Sequence, residues 1–123
     1  MPRYERFEAW RWAHLLALDV FTVTDTWPTS ERYGLTAQTR RAALSVPTNI
    51  AEGVGRQGRR ELAHYLSISL GSLAELSYLL RFGRDRGTCH QLDWARLEQL
   101  RSRTGALVYG LYRRVRFPPQ SPS

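Results

Sequence analysis

The chain of 123 residues is long enough for one domain with a single hydrophobic core. No apolar run approaches the roughly 20 residues of a membrane-spanning helix, and the N-terminus lacks an apolar secretory signal, so we expect a cytoplasmic protein without membrane association. A single cysteine excludes a disulfide framework and a cysteine-rich metal site, and the net charge of +7 is typical of a protein with an acidic partner.

Four long helices are predicted, separated by segments that contain proline or glycine. The first, over residues 6–26, has apolar residues at intervals of three and four and ends before Pro28. A connector leads to the second, over residues 35–54, whose apolar face repeats with the same spacing. Pro47 is predicted to point outward from this second helix and to kink it without ending it.

The third helix, over residues 58–86, has the widest apolar surface. One row alternates steps of four and three, as in a heptad repeat, and consists of Leu62, Leu66, Ser69, Leu73, Leu76 and Leu80. A second row lies beside it and consists of Tyr65, Ile68, Leu79 and Phe82. The two rows cover about 200°, more than one face of a bundle helix requires. Either this helix is the most central one, or part of its face contacts another protomer.

The fourth helix is predicted from Asp93, as N-cap, to about residue 116. Residues 117–123 read Phe-Pro-Pro-Gln-Ser-Pro-Ser and cannot continue a helix, so they are predicted to form a disordered tail. No segment has the alternating pattern of a β-strand. The sequence therefore predicts an all-α fold, an antiparallel up-down-up-down four-helix bundle over residues 1–116.

The stretch from Gly53 to Gly58 spells G-x-G-x-x-G, the pattern of a dinucleotide-binding loop. That loop must follow a β-strand, whereas the preceding segment here is helical. We therefore expect no nucleotide cofactor. The glycines are predicted to end the second helix, with Gly53 or Gly55 in the left-handed conformation, and to allow a tight reversal into the third.

Other chemical sites are not supported by the residue spacings. Glu61 and His64 form one Glu-x-x-His pair, half of a di-iron ligand set, but the chain has no second pair. No arrangement of nucleophile, base and acid is indicated either, and Cys89 has only His90 beside it. We therefore expect no metal, no cofactor and no catalytic residue.

The arginines are the candidate binding residues. Residues 29–60 and 89–123 each carry six arginines against two acidic residues, while charges nearly balance elsewhere. Arginine pairs with two phosphate oxygens at once, although the complete lack of lysine can also reflect genome composition alone. The candidates for phosphate contacts are Arg40, Arg41, Arg56, Arg59 and Arg60, with Arg113, Arg114 and Arg116 on a second patch. The alternative for residues 56–60 is a solvated charged loop.

A polar row on the second helix is the feature that bundle packing explains least. It consists of Gln38, Ser45, Asn49 and Glu52. Polar residues at the edge of a core need hydrogen-bond partners, and Ser72 and Glu75 of the third helix are in position to supply them. We interpret the set as a structural network that fixes helix register, with a ligand site as the alternative. Arg41 lies beside this row and is a further candidate partner for Glu52 or Glu75.

Three segments resemble the family of bacterial 23S rRNA intervening-sequence proteins. The longest is residues 31–53, which ends in Asn49-Ile-Ala-Glu-Gly53; the others are residues 71–76 and residues 7–10, where Ala9 stands in place of the more usual leucine. The resemblance extends from about residue 4 to residue 115. It implies a cytosolic four-helix bundle that forms a ring-like homopentamer, with no catalytic residues. Some members are encoded within insertions in rRNA genes, and a distant relative, the accessory protein of diversity-generating retroelements, binds nucleic acid and a reverse transcriptase.

Two functions remain open at this point. The first is a basic oligomer that binds RNA or DNA through backbone phosphates without reading sequence. The second is an adaptor that docks a protein partner, such as a reverse transcriptase or a ribosomal component, on the apolar face of the third helix or on the tail.

Overall fold

A computed structural model describes residues 2–120 of the chain. It contains four α-helices, α1 (Glu8–Thr24), α2 (Ala37–Gly55), α3 (Arg59–Arg86) and α4 (Gln91–Arg116), and no β-strand within those residues. Short turns of 3-10 and π-helix at Thr29–Glu31 and Arg32–Thr36 connect α1 to α2. The predicted all-α fold is confirmed.

The helices pack as an up-down-up-down bundle. Each contacts the next along the chain, and α4 closes the bundle against α1. An ion pair between Arg96, early in α4, and Asp19, late in α1, joins Nη2 to Oδ1 over 2.9 Å. Likewise the guanidinium carbon of Arg84, late in α3, lies 4.1 Å from the centre of the Trp94 ring, early in α4. Neighbouring helices are therefore antiparallel.

The core contains most of the predicted apolar positions, but Ile68 and Phe82 of the predicted second row on α3 are exposed. Fully buried large side chains come from all four helices, namely Leu16, Val20, Val46, Ile50, Leu66, Leu76, Leu80, Leu97 and Val108. No helix of the described residues is long and apolar enough to cross a membrane.

The helix α2 continues past Pro47 to Gly55, as predicted. The outward orientation predicted for Pro47 is wrong, because Pro47 is buried. The reason is that α2 packs against both α1 and α3, so its buried arc is wider than one apolar row. Ala43 and Val54 lie on the same face as Pro47 and are buried with it.

Two helix ends also differ from the prediction. Neither Gly53 nor Gly55 is left-handed; the positive φ in this corner belongs to Gly58, at 94°, immediately before α3. The N-cap of α4 is His90, whose Nδ1 accepts a hydrogen bond from the backbone N–H of Leu92 at 3.2 Å. Asp93, the predicted cap, lies inside the first turn.

The tail is only partly described. Residues 117–120 contain no helix, and residues 121–123 lie outside the described part of the chain. The disorder of residues 117–123 stays a prediction.

Candidate nucleic-acid interface

The candidate interface lies at the end of the bundle where α3 begins and α4 ends. Because the helices alternate in direction, two basic segments that are far apart in sequence meet there. Arg59 and Arg60 of α3 and Arg116 of α4 line one cleft of about 570 Å³, together with Ala63, His64, Ser67, Tyr112 and Val115. We call this the basic cleft. The sequence had suggested two separate patches.

The basic cleft is positive and open to solvent. No aspartate or glutamate of the described residues lines it. Arg59, Arg60 and Arg116 are exposed, and none of them forms an ion pair within residues 2–120. The three guanidinium groups are therefore available to an external anion.

Positive charge continues beyond the basic cleft. An adjacent cleft of about 450 Å³ is lined by Arg3, Arg56 and Arg59, so that Arg59 borders both. Sequence reasoning missed Arg3. Its position before α1 would have suggested it, because in an up-down-up-down bundle the start of α1 lies at the same end as the start of α3.

Arg56 is partly engaged within the protein. Its Nη2 donates to Oε1 of Glu52 at 3.0 Å, and this hydrogen bond raises the pKa of Arg56. Its guanidinium carbon also lies 5.4 Å from the centre of the Tyr65 ring. Both partners of the ion pair are about half exposed, so the pair contributes little to stability and can open towards an anion.

Arg40 does not line the basic cleft. Its Nε donates to Oγ1 of Thr24 at 2.8 Å, its Nη2 donates to Oδ1 of Asp25 at 2.6 Å, and its guanidinium carbon lies 4.8 Å from the Phe21 ring centre. These contacts tie the start of α2 to the end of α1, at the opposite end of the bundle. These contacts occupy Nε and Nη2 of Arg40 and place it away from the basic cleft; whether Arg40 contacts phosphate stays a prediction.

The other predicted arginines lie away from the basic cleft. Arg41 is exposed on the groove between α2 and α3, and it forms no ion pair with Glu52 or Glu75 within the described residues. Arg113 and Arg114 are exposed in the last turn of α4 but do not line the basic cleft.

The predicted polar row joins α2 to α3 through part of its members. The Oγ atoms of Ser45 and Ser72 are 2.7 Å apart, and Nδ2 of Asn49 donates to Oγ of Ser45 at 2.9 Å. A bond that sequence reasoning missed runs from Oγ of buried Ser69 to the carbonyl of Val46, at 2.9 Å. Ser69 occupies an apolar position of the heptad pattern, so spacing alone gave no signal of its role.

The remaining members of the row stay outside this network. Gln38 and Glu75 are exposed and line the groove between α2 and α3, without a hydrogen bond to the serines in the described residues. Glu52 forms its ion pair with Arg56 and, within residues 2–120, does not bond to the serines. The network is therefore smaller than predicted. No group of three or more histidine, cysteine, aspartate or glutamate side chains among residues 2–120 is arranged to hold a metal ion.

Comparison with known proteins adds a family assignment. A family model described as "23S rRNA-intervening sequence protein" matches residues 5–110. No match was found among curated proteins. The matched residues include α1, α2 and α3 and most of α4, so they contain Arg59 and Arg60 but end before Arg116.

Proposed function

Since the chain belongs to the 23S rRNA-intervening sequence protein family, we propose that it is a non-catalytic cytoplasmic protein that binds nucleic acid through backbone phosphates. The observation that carries this proposal is the basic cleft, where three exposed arginines from two helices converge and no carboxylate from residues 2–120 lines the site. Arg3 and Arg56 extend the positive surface next to it.

The chemistry of the cleft suits phosphate rather than a base edge. A guanidinium group binds two phosphate oxygens through parallel hydrogen bonds, whatever the base sequence. Each phosphate that the protein neutralises releases counterions, so binding weakens as salt rises. Three such contacts correspond to a slope of about −2 for single strands, or about −2.7 for duplex DNA, in a plot of log affinity against log salt.

The test is a pair of triple variants with the same change in charge. Arg59→Ala/Arg60→Ala/Arg116→Ala removes the cleft arginines, and Arg32→Ala/Arg41→Ala/Arg86→Ala removes three exposed arginines far from the cleft. Fluorescence anisotropy with labelled RNA and DNA, from about 50 to 200 mM salt, measures affinity and slope.

The cleft variant is expected to lose tenfold or more in affinity and about two units of slope, whereas the control stays within about threefold of the parent protein. An equal loss in both variants would show either that only net charge matters or that Arg41 contacts phosphate, and the single variant Arg41→Ala separates the two. Binding that does not respond to salt would contradict the proposal altogether. The control also tests whether Arg41 contacts phosphate.

We also propose that the chain forms a homo-oligomer, a pentamer if it follows the family resemblance. Support comes from apolar side chains left on the outside of α2 and α3, namely Leu44, Ile68, Tyr78 and Phe82. Light scattering is expected to give about five times the protomer mass of 14.2 kDa. Ile68→Asp/Phe82→Asp should lower that mass, and a parent protein at 14.2 kDa would refute the oligomer without affecting the phosphate-binding proposal.

The same exposed side chains favour a second candidate function, an adaptor that docks another protein. A reverse transcriptase or a ribosomal component is the kind of partner that this candidate implies. Capture of the partner would then survive removal of the three cleft arginines and be lost in Ile68→Asp/Phe82→Asp. The opposite pattern would exclude it.

A further inference from the structure

Aromatic rings stand beside the arginines of the basic cleft. Tyr112 lines the cleft from α4, and Tyr109 lies one turn before it on the same helix. The two rings are close to parallel, with 24° between their planes and 6.4 Å between their centres. The side chain of Tyr109 is 51% exposed, so packing of the bundle does not account for its large ring.

Tyr109 does not line the cleft itself, but a second ring besides Tyr112 does, from the other helix. His64 of α3 is exposed and lines the cleft opposite Tyr112. The cleft therefore has flat rings on both walls and guanidinium groups at Arg59, Arg60 and Arg116. Its volume of about 570 Å³ is within the range of roughly 300–1,000 Å³ that is typical of sites for small organic ligands.

Building on the proposed function, we propose that the basic cleft takes single-stranded nucleic acid and stacks an unpaired base on the tyrosines of α4. Phosphate binding alone does not require aromatic groups, whereas every base has a flat face that stacks on a tyrosine ring. In a duplex those faces are occupied by neighbouring base pairs. Rings next to phosphate-binding arginines therefore favour a single strand, in which a base can turn outward while its phosphates reach the guanidinium groups.

The first experiment compares two ligands on the parent protein. One is a short oligothymidylate, and the other is an abasic strand with the same number of phosphates; a duplex and an oligouridylate of matched length complete the set. Stacking of one base is expected to make the oligothymidylate bind roughly five- to a hundredfold more tightly than the abasic strand. Similar affinity for the oligouridylate is expected, because stacking does not involve the 2′-hydroxyl.

The second experiment uses variants of Tyr109, which is exposed enough to be replaced without disturbing the core. Tyr109→Leu is expected to reduce the preference for oligothymidylate over the abasic strand by fivefold or more, while Tyr109→Phe keeps the ring and the preference. The salt slope is expected to stay the same in both variants, because their arginines are unchanged.

The outcomes separate this inference from the proposed function. Equal affinity for the oligothymidylate and the abasic strand, with a normal salt slope, overturns stacking but leaves phosphate binding intact. A preference for bases that Tyr109→Leu does not change also overturns it, and so does tighter binding of the duplex. Failure of every strand to bind overturns the proposed function and this inference together.

Discussion

Replacement of Gly53 by alanine is expected to destabilise the bundle, although alanine is the better helix former. Gly53 lies near the end of α2, where that helix passes close to the start of α3. A Cβ atom at this position would lie 2.8 Å from Cβ of Tyr65 and 3.1 Å from Cδ1 of Leu62. Gly55 provides a matched control in the same helix, because a Cβ there would meet no atom within 4 Å.

The magnitude follows from two opposing effects. Alanine in place of glycine inside a helix stabilises the folded chain by up to about 1 kcal/mol, and Gly55→Ala should show part of this gain, because Gly55 is the last residue of α2. At Gly53 the new methyl group would be nearly 1 Å inside the normal carbon–carbon separation of about 3.5–4.0 Å. The Cβ of Tyr65 is fixed to the backbone of α3 and cannot rotate away, so the helices must move apart. Overpacking of this kind costs about 1–3 kcal/mol, which leaves Gly53→Ala about 1–3 kcal/mol less stable than Gly55→Ala.

Urea unfolding followed by circular dichroism measures the difference. The midpoints should fall in the order Gly55→Ala, parent protein, Gly53→Ala, with unchanged slopes. All three proteins must be compared at one protomer concentration, because oligomerisation would itself shift the midpoints. If Gly53→Ala proves as stable as Gly55→Ala, α2 and α3 do not approach as closely as the structure indicates.

Two further predictions concern side chains with defined environments. Burial raises the pKa of the Cys89 thiol to about 11, so at pH 9 roughly 1% of it is thiolate in the folded chain, against roughly half in the unfolded chain. Alkylation of Cys89, followed by mass spectrometry, should therefore be at least tenfold slower in the native protein than in the unfolded one. Equal rates would contradict the burial of Cys89. Because this pKa is raised, the stability it contributes is complete below about pH 9 and lost as the pH rises towards 11. Arg40→Met removes the hydrogen bonds to Thr24 and Asp25 and should lower the free energy of unfolding by about 1 kcal/mol relative to the control Arg32→Met. The affinity for RNA should not change. Weaker RNA binding at unchanged stability would show instead that Arg40 contacts the nucleic acid.

Most of the fold could be predicted from the sequence, since intervals of three and four between apolar residues report helices directly. The helix ends were less predictable. Asp93 and His90 are both polar residues near the start of α4, and only the backbone shows that His90 is the cap. In the same way the G-x-G-x-x-G pattern does not distinguish Gly53 from Gly58. Gly53 allows α2 and α3 to approach each other, whereas Gly58 adopts a positive φ. The orientation of Pro47 was predicted wrongly because the spacing of apolar residues within α2 does not show how many helices pack against it.

The candidate site was predictable in residue type but not in arrangement. The sequence singles out both arginine-rich segments, and only the alternation of helix directions brings Arg59 and Arg116 into one cleft. Arg3 was missed for the same reason. The ion pair of Arg40 was missed because its partner Asp25 is 15 positions away, and nothing in the spacing connects the two residues.

The helix dipole favours arginines at the end of α4 and disfavours arginines at the start of α3. Arg113, Arg114 and Arg116 occupy the last turn of α4, where positive charge interacts favourably with the helix dipole. Arg59 and Arg60 occupy the first turn of α3, where the dipole disfavours positive charge, and no ion pair within residues 2–120 compensates them. Since these two residues are exposed and lie at the end of α3 where the dipole disfavours positive charge, their replacement by alanine should leave stability unchanged or slightly higher. A loss of nucleic-acid binding in that variant would then reflect the interface and not the fold.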